Sequence, residues 1–241
     1  MSGHSKWNNI KHKKEKADAA KAKIFTKIGK EMAVAIKEGG PDPSNNSRLR
    51  DLISKAKANN VPNENIQRTI KKFTDSGDIN YEEITYEGYG PSGVAIIVET
   101  STDNRNRTAG NVRAAFNKYG GNLGQNGCVG FLFEEKGVIT IVDEDEELDE
   151  DKVMEDALEC GAEDIKCDEG EYTIYTSVDD FASVREAVIG LGYTLATADL
   201  AKVPSTYVDL ASEEDIENME KMLDKFNEDD DVNAVYHNWN A

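Results

Sequence analysis

The chain has 241 residues, of which 38% are hydrophobic and 31% charged, and 47 acidic against 28 basic side chains give a formal net charge of −19. This length exceeds a typical domain of about 100–200 residues and predicts two or three domains. The longest aliphatic run, Val94–Val98, is far shorter than the roughly 20 residues of a membrane helix. Residues 1–6 lead into lysines without an apolar stretch, so no secretory signal is expected. We therefore expect a globular protein with no membrane partner.

The charge is divided unevenly along the chain. Residues 1–77 carry 17 basic and 8 acidic side chains, a net charge of +9, whereas residues 78–241 carry 11 basic and 39 acidic ones, a net charge of −28. Charges separated by more than a Debye length of about 8 Å are largely screened from one another, so a basic module can act beside an acidic body. Such asymmetry indicates that the first part binds nucleic acid.

The residues that usually carry catalysis or metal binding form no convincing pattern. The cysteines are Cys128, Cys160 and Cys167, and the histidines are His4, His12 and His237. An odd number of cysteines without a Cys-x-x-Cys motif favours a reducing cytoplasm over a disulfide framework, and the histidines lack the paired spacing of a zinc site. Gly88–Gly93 matches G-x-G-x-x-G, but a strand and not a helix is predicted to follow it. We expect no enzyme, no cofactor and no small-molecule site.

The first 77 residues have the periodicity of helices. Between residues 16 and 38 the apolar residues recur at three- and four-residue spacing; they are Ile24, Phe25, Ile28, Met32, Ala35 and Ile36. Gly39-Gly40-Pro41 ends this helix. A second helix is predicted over 47–59, capped by Asn46 or Ser47, and a third begins near Pro62 and ends before Gly77. Three short helices with short connections predict a small antiparallel bundle.

After Gly77 the pattern becomes that of strands alternating with helices. Strands are predicted at 84–89 and 94–102, joined by the turn Gly90–Gly93, and a helix follows at 105–119, capped by Asp103 or Asn104. Further strands are predicted at 128–133 and 138–142, with a turn at 134–137 between them.

Residues 137–203 form a complete β-α-β-β-α-β set, which is the ferredoxin-like motif. The flanking stretches each supply half of such a motif; the second half uses strands near 205–210 and 232–236 around a helix at 213–227. The prediction is an α+β protein in which an N-terminal helical bundle precedes two ferredoxin-like α/β sandwich domains, one inserted in the other. Its domains are a basic helical domain (1–77), a discontinuous domain (78–136 plus 204–241) and an inserted acidic domain (137–203).

The most informative group of side chains is basic and lies near the N-terminus. On the first predicted helix, five lysines fall on the side opposite the apolar face and span about 30 Å. We call these the lysine row: Lys16, Lys23, Lys27, Lys30 and Lys37. The segment ahead of it carries Lys6, Trp7, Lys11, His12, Lys13 and Lys14. Lysines contact phosphates without reading bases, and tryptophan stacks on a base or ribose, so both groups are predicted to bind nucleic acid.

Two alternatives stay open at this point. The lysine row can instead be a solvated helix face that follows a flexible tail. A second basic group, Arg105, Arg107 and Arg113, lies in the acidic part of the chain. Arg107 projects from the side opposite the apolar face of its helix, so it is a further candidate for contacting nucleic acid; the alternative is that it forms salt bridges with nearby carboxylates.

Several sequence motifs resemble those of the YebC/PmpR family. They are Gly3-His-Ser-Lys-Trp7, Ile10-Lys-His12, Asp18-Ala-Ala-Lys21, Asn59-Asn60, Tyr86–Gly93, Thr102–Thr108, Gly120-Gly121 and Val235-Tyr236. The resemblance covers nearly the whole chain. It departs from the family pattern at Gly127-Cys-Val129, where Gly-Ser-Val is usual, and this exchanges one small residue for another.

The resemblance implies a three-domain, cytoplasmic bacterial protein and a function in transcription regulation through DNA binding without a helix-turn-helix. It also implies an alternative, because the family includes a mitochondrial translational activator, and some bacterial members are linked to relief of ribosome stalling at proline-rich stretches. DNA and ribosomal RNA therefore stand as competing partners. A third hypothesis is a protein–protein adaptor built on the two predicted sheets.

Overall fold

The computed structural model of the chain describes residues 17–76, 80–143, 148–168 and 170–240. In these residues seven helices and eight strands follow one another. The first helices are α1 (Ala17–Gly39), α2 (Ser47–Ala58) and α3 (Asn63–Ser76). Next come β1 (Glu82–Tyr89), β2 (Ala95–Thr102), α4 (Arg105–Lys118), β3 (Asn122–Leu123) and β4 (Phe133–Val142). The remainder comprises α5 (Glu150–Glu159), β5 (Asp164–Asp168), β6 (Glu171–Thr176), α6 (Phe181–Gly190), β7 (Leu195–Pro204), α7 (Glu213–Glu228) and β8 (Val232–His237).

Helices α1, α2 and α3 pack around one apolar core, as the residue spacing predicts. Ile28, Met32 and Ile36 of α1 are buried against residues of the two shorter helices. Ile24 differs from the prediction because its side chain is 39% exposed. The 23-residue α1 is longer than its 12- and 14-residue partners, so its first turns extend beyond the core that they share.

Asn46 joins the end of α1 to the beginning of α2. Its side-chain oxygen accepts a hydrogen bond of 3.0 Å from the Leu49 N–H, which caps α2, and its amide group donates to the carbonyl oxygens of Ala35 and Gly40, both at 2.8 Å. The cap satisfies one of the unpaired N–H groups at the helix start. One buried side chain therefore fixes the tight connection between the two helices.

The first sheet is antiparallel with the strand order β3-β1-β2-β8. Its core includes Ile96 and Val98 of β2 together with Phe116 of α4 and Phe226 of α7, whose rings lie 5.3 Å apart. β2 is buried on both faces, because Ile97, which points away from this core, is as fully buried as Ile96. Helix α1 contacts β2 and β8. The sheet is therefore covered by helices on both sides.

Two of the strands predicted for this sheet are not formed as predicted. Residues 128–132 are not a strand, because the buried Glu87 carboxylate accepts hydrogen bonds from the N–H groups of Gly127, Val129 and Gly130 at 2.7–2.9 Å. β4 instead begins at Phe133 and runs through the predicted turn. The strand expected near 205–210 is reduced to one bridge between Val208 and Trp239. The predicted turn at Gly90–Gly93 does join two paired strands, since β1 pairs with β2 along its whole length.

The second sheet is antiparallel with the strand order β5-β6-β4-β7. Its strands and helices follow the β-α-β-β-α-β sequence that is predicted for residues 137–203. Ile139, Ile141 and Ile174 form its core with Val153 of α5 and Val184 of α6. Gly137 lies inside β4, where a Cβ atom would collide with Thr176 Oγ1 and the Phe181 side chain.

The contacts divide the described chain into two compact units. One comprises α1 to β3, continues to Gly130 and includes residues 208–239; the other comprises residues 131–207. The three helices and the first sheet thus belong to one unit. None of the described helices combines the length and the apolar character that crossing a membrane requires.

Candidate nucleic-acid interface

Helix α1 uses two sides for packing and not one. Beside the apolar side that faces α2 and α3, Ala33 and Val34 are almost completely buried, at 0% and 3% exposure. They lie one turn beyond Lys30 and do not belong to the core that α1 shares with α2 and α3. The lysine row therefore lies close to a second packed surface instead of facing only solvent.

Three members of the lysine row bind the C-terminal end of α7. Lys23 donates to the carbonyl oxygen of Glu228 and lies 3.8 Å from the Asp230 carboxylate. Lys27 donates to the carbonyl oxygen of Asn227 at 3.2 Å. Lys30 donates to the carbonyl oxygen of Asp230 at 2.9 Å and to the Asp231 carboxylate at 2.7 Å.

The chemistry of a helix end explains this docking. The last carbonyl groups of a helix lack intrahelical partners, and the helix dipole places partial negative charge at that end. In α7 the end is followed by three aspartates, Asp229, Asp230 and Asp231, which add negative charge. Lysine side chains from α1 supply both the hydrogen bonds and the positive charge that this end requires.

Asp231 is the centre of a buried polar network. It is 3% exposed and accepts hydrogen bonds from Lys30, from Arg107 at 2.7 and 3.1 Å and from Thr108 at 2.8 Å. Thr102 at the end of β2 also donates to it at 3.2 Å. Burial alone would raise the pKa of Asp231, but the donors outweigh it and lower the pKa to about 2. The carboxylate is thus charged at neutral pH and links α1, α4 and β2.

Arg107 is held by carboxylates on both sides. Its guanidinium group donates to Asp231 and, at 2.8 Å, to Asp103. Hydrogen bonds to Asp231 and Asp103 raise the pKa of Arg107 further above its ordinary value. Of the two interpretations that the sequence allows for Arg107, salt bridges to nearby carboxylates describe its contacts in this structure.

A cleft of about 560 Å³ lies beside this network, between α4, the end of α7 and Lys30. It brings basic and acidic groups together, among them Arg107, Lys118, Lys225, Glu228 and Asp229. These opposite charges largely balance, so the cleft has no strong preference for an anion. Within the described parts of the chain, no cluster of histidine, cysteine or carboxylate side chains has an arrangement that would hold a metal ion.

The remaining predicted site residues differ in their placement. Lys37, the last member of the lysine row, is exposed at the end of α1. The others lie outside the described residues: Lys6, Trp7, Lys11, His12, Lys13, Lys14 and Lys16. The structure brings together Lys23, Lys27, Lys30 and Arg107, all of them around the end of α7.

Sequence reasoning missed two groups of residues. One is the set of basic side chains exposed on α2 and α3, namely Arg50, Lys57, Arg68, Lys71 and Lys72. Their positions on the polar sides of two predicted helices are the signal that identifies them. The other is Asp231 with Thr102 and Thr108, whose burial depends on contacts between segments about 130 residues apart and leaves no local signal.

Comparisons with known proteins relate this arrangement to one family. A family model described as "TACO1/YebC protein N-terminal domain" matches residues 5–76, and one described as "TACO1/YebC second and third domain" matches residues 81–239. Proteins from Agathobacter rectalis and Acetivibrio thermocellus are 56% and 54% identical over 240 residues, with 99% of each chain covered; both are named "Probable transcriptional regulatory protein". The crystal structure of a conserved hypothetical protein, Aq1575 from Aquifex aeolicus, is similar with a TM-score of 0.86 and 43% identity, covering 98% of this chain and 96% of that one.

Proposed function

Because the chain belongs to the TACO1/YebC family, in which the most similar relatives above are named transcriptional regulatory proteins, we propose that it is a regulator that binds nucleic acid through its basic N-terminal part. It acts by binding and not by catalysis, and it works in the cytoplasm with DNA as its first candidate partner. The observation that carries the proposal is the segregation of charge, +9 over residues 1–77 against −28 over the rest. Basic side chains that neutralise phosphates supply most of the affinity in such binding.

Because members of the lysine row already have partners, we place the proposed binding surface mainly on other residues of the basic N-terminal part. Lys23, Lys27 and Lys30 already have partners on α7, and Lys30 is largely buried. Residues 1–16 contain five lysines and one glutamate, a net charge of +4. We therefore assign the main phosphate contacts to Lys6, Lys11, Lys13, Lys14 and Lys16, with Lys37 and the exposed basic residues of α2 and α3 as additional contacts.

Ribosomal RNA is the alternative partner, and the distribution of the exposed basic residues supports this alternative. They occur on three helices, α1, α2 and α3, and not on one helix suited to a DNA major groove. Basic residues distributed in this way can contact the phosphates of a folded RNA according to its shape, and the aromatic ring of Trp7 can stack on an unstacked base. Under this alternative the chain is a translation factor that contacts the ribosome, with its acidic unit directed away from the RNA.

Binding to fluorescent duplex DNA and to purified ribosomes over a series of salt concentrations tests both candidates. We expect log affinity to fall linearly with log salt, with a slope of about −0.7 to −0.9 per neutralised phosphate. Changing Lys11, Lys13 and Lys14 to Gln should reduce the magnitude of this slope by about 2 to 3. The partner that binds more tightly near physiological salt is the physiological class.

The matched control changes Lys152, Lys202 and Lys221 to Gln, which removes the same charge from the acidic part of the chain. It should leave the slope unchanged because these lysines lie outside the proposed surface. The proposal is rejected if neither probe binds, or if the two triple variants lose affinity equally.

A further inference from the structure

The partners of the lysine row change in character along α1. Lys30 is 12% exposed and pairs with the Asp231 carboxylate, which is itself 4% exposed. Lys27 and Lys23, farther toward the N-terminus, donate to main-chain carbonyl oxygens at the end of α7. Among the described residues, the carboxylate that pairs with Lys23 is that of Asp230, which lies 3.8 Å from the Lys23 Nζ and belongs to a side chain that is 65% exposed.

A phosphate is a stronger acceptor than the partners of Lys23, which are a main-chain carbonyl oxygen and an exposed carboxylate. Hydrogen bonds in which both groups are charged are roughly twice as strong as neutral ones, and a carbonyl oxygen carries no net charge. An exposed ion pair such as Lys23–Asp230 contributes about 0–1 kcal/mol. In contrast, separating Lys30 from Asp231 would leave a buried charge unpaired. Lys23 can therefore change partner while Lys30 stays in place.

We propose that the C-terminal end of α7 competes with nucleic acid for Lys23, and so regulates binding along the lysine row. This inference rests on the proposed function. In the free protein Lys23 caps the end of α7, and in the complex it contacts a phosphate while the last turn of α7 loses this cap. The Lys30–Asp231–Arg107 network keeps α1 attached to the sheet in both states.

The Asp230→Asn variant tests the competition, since it weakens the hold on Lys23 without touching the buried network. We expect its affinity for duplex DNA or ribosomes to rise about two- to fivefold, the range that an exposed ion pair can supply. Glu228→Gln is the matched control. It removes one charge at the same helix end, but the Glu228 carboxylate lies 3.9 Å from Lys225 and its side chain is not the group that holds Lys23. Its affinity should stay within about 1.5-fold of the unchanged protein.

Hydrogen exchange gives a second, independent readout on the complete chain. Binding of a short DNA duplex, or of ribosomes, should accelerate exchange of the amides in the last turn of α7 because the Lys23 cap leaves it. Equal affinities of Asp230→Asn and Glu228→Gln, with exchange in that turn unchanged or slowed, would overturn the inference and leave the proposed function intact. Absence of binding by the unchanged protein to either probe would overturn both.

Discussion

At the scale of single residues, Asp231 is a buried charged group that joins three elements of the described chain. It lies two residues beyond the cap of α7 and receives side-chain donors from α1, α4 and β2. Its backbone carbonyl also accepts from the Ser101 N–H at 2.8 Å. A carboxylate with this many donors is a structural centre, because its removal takes the carboxylate partner from the buried Lys30 and one of two carboxylate partners from the half-exposed Arg107.

Asp231→Asn should therefore destabilise the protein strongly while keeping the side-chain volume. We expect a loss of about 2–4 kcal/mol in the free energy of unfolding, because Lys30 and Arg107 keep their charge when the anion is gone. Urea denaturation followed by circular dichroism measures this loss. Asp230→Asn, one residue earlier and largely exposed, should change stability by less than about 0.5 kcal/mol. Similar stabilities of the two variants would disprove the central role of Asp231.

His237 predicts a dependence of stability on pH. Its two ring nitrogens are buried with no hydrogen-bond partner among the described residues, and its ring lies 6.1 Å from that of Trp239. Burial lowers the pKa of His237 from 6.5 to about 4. Between these values the unfolded chain binds more protons than the folded one, so stability is complete above pH 6.5 and declines as the pH falls toward 4.

The decline that His237 causes should amount to about 2–4 kcal/mol, from 1.36 kcal/mol for each unit of pKa difference. Denaturation at pH 7 and pH 4.5 compares the unchanged protein with His237→Leu, which removes the titrating group. The variant should lose distinctly less stability on acidification. Asp231 adds its own loss only below pH 3.8, toward its pKa of about 2, and does not interfere in this window. Identical losses in both proteins would contradict the assignment.

At the scale of elements, α1 shows what a sequence can and cannot predict. Its boundaries, its apolar side and the cap of the next helix by Asn46 follow from local spacing and turn chemistry. The role of its lysines does not follow from local spacing, because a phosphate and the C-terminal end of a helix are both bound by lysine side chains on the same helix face. The partner of Lys27 lies 200 residues away, and only the folded chain identifies it.

The same limit explains the strands. The β-α-β-β-α-β sequence of residues 137–203 is local and was predictable from its alternating pattern. The stretch at 128–132 has the composition of a strand, but Glu87 takes up its donors from a distant position in the sequence. Gly137 was predicted to end a turn, whereas it lies within β4 and is required there by the close approach of Thr176 and Phe181.

Gly137→Ala should accordingly destabilise the protein although alanine usually suits a strand better than glycine. We expect a loss of about 1–3 kcal/mol, because the new methyl group has no room beside Thr176 and Phe181. Gly110→Ala is the comparison, since Gly110 lies inside α4 and, apart from its chain neighbours and the backbone of its own helix, no described atom lies within 4 Å of its added Cβ. That change should stabilise by up to about 1 kcal/mol. Thermal denaturation of both variants decides whether packing or backbone entropy dominates at each site.

At the scale of the whole molecule, the net charge of −19 is the sum of a basic N-terminal part and an acidic remainder. Some of the basic surplus of the N-terminal part is used inside the folded unit, where it neutralises the acidic end of α7. The remainder lies on exposed side chains of α2 and α3, on Lys37 and in residues 1–16. Under the proposed function, we expect the exposed basic side chains to contact nucleic acid and the acidic surplus to oppose nonspecific adhesion to other polyanions.

The burial of Asp231 also bears on how far this architecture is modular. The two matching family models divide the chain between residues 76 and 81, yet Lys30 and the apolar contacts of α1 cross that division. A fragment ending at residue 77 would expose Ala33 and Val34 and leave Lys30 without its carboxylate. The part of the chain that the first family model matches is therefore smaller than the compact unit in which α1, α2 and α3 lie together with the first sheet.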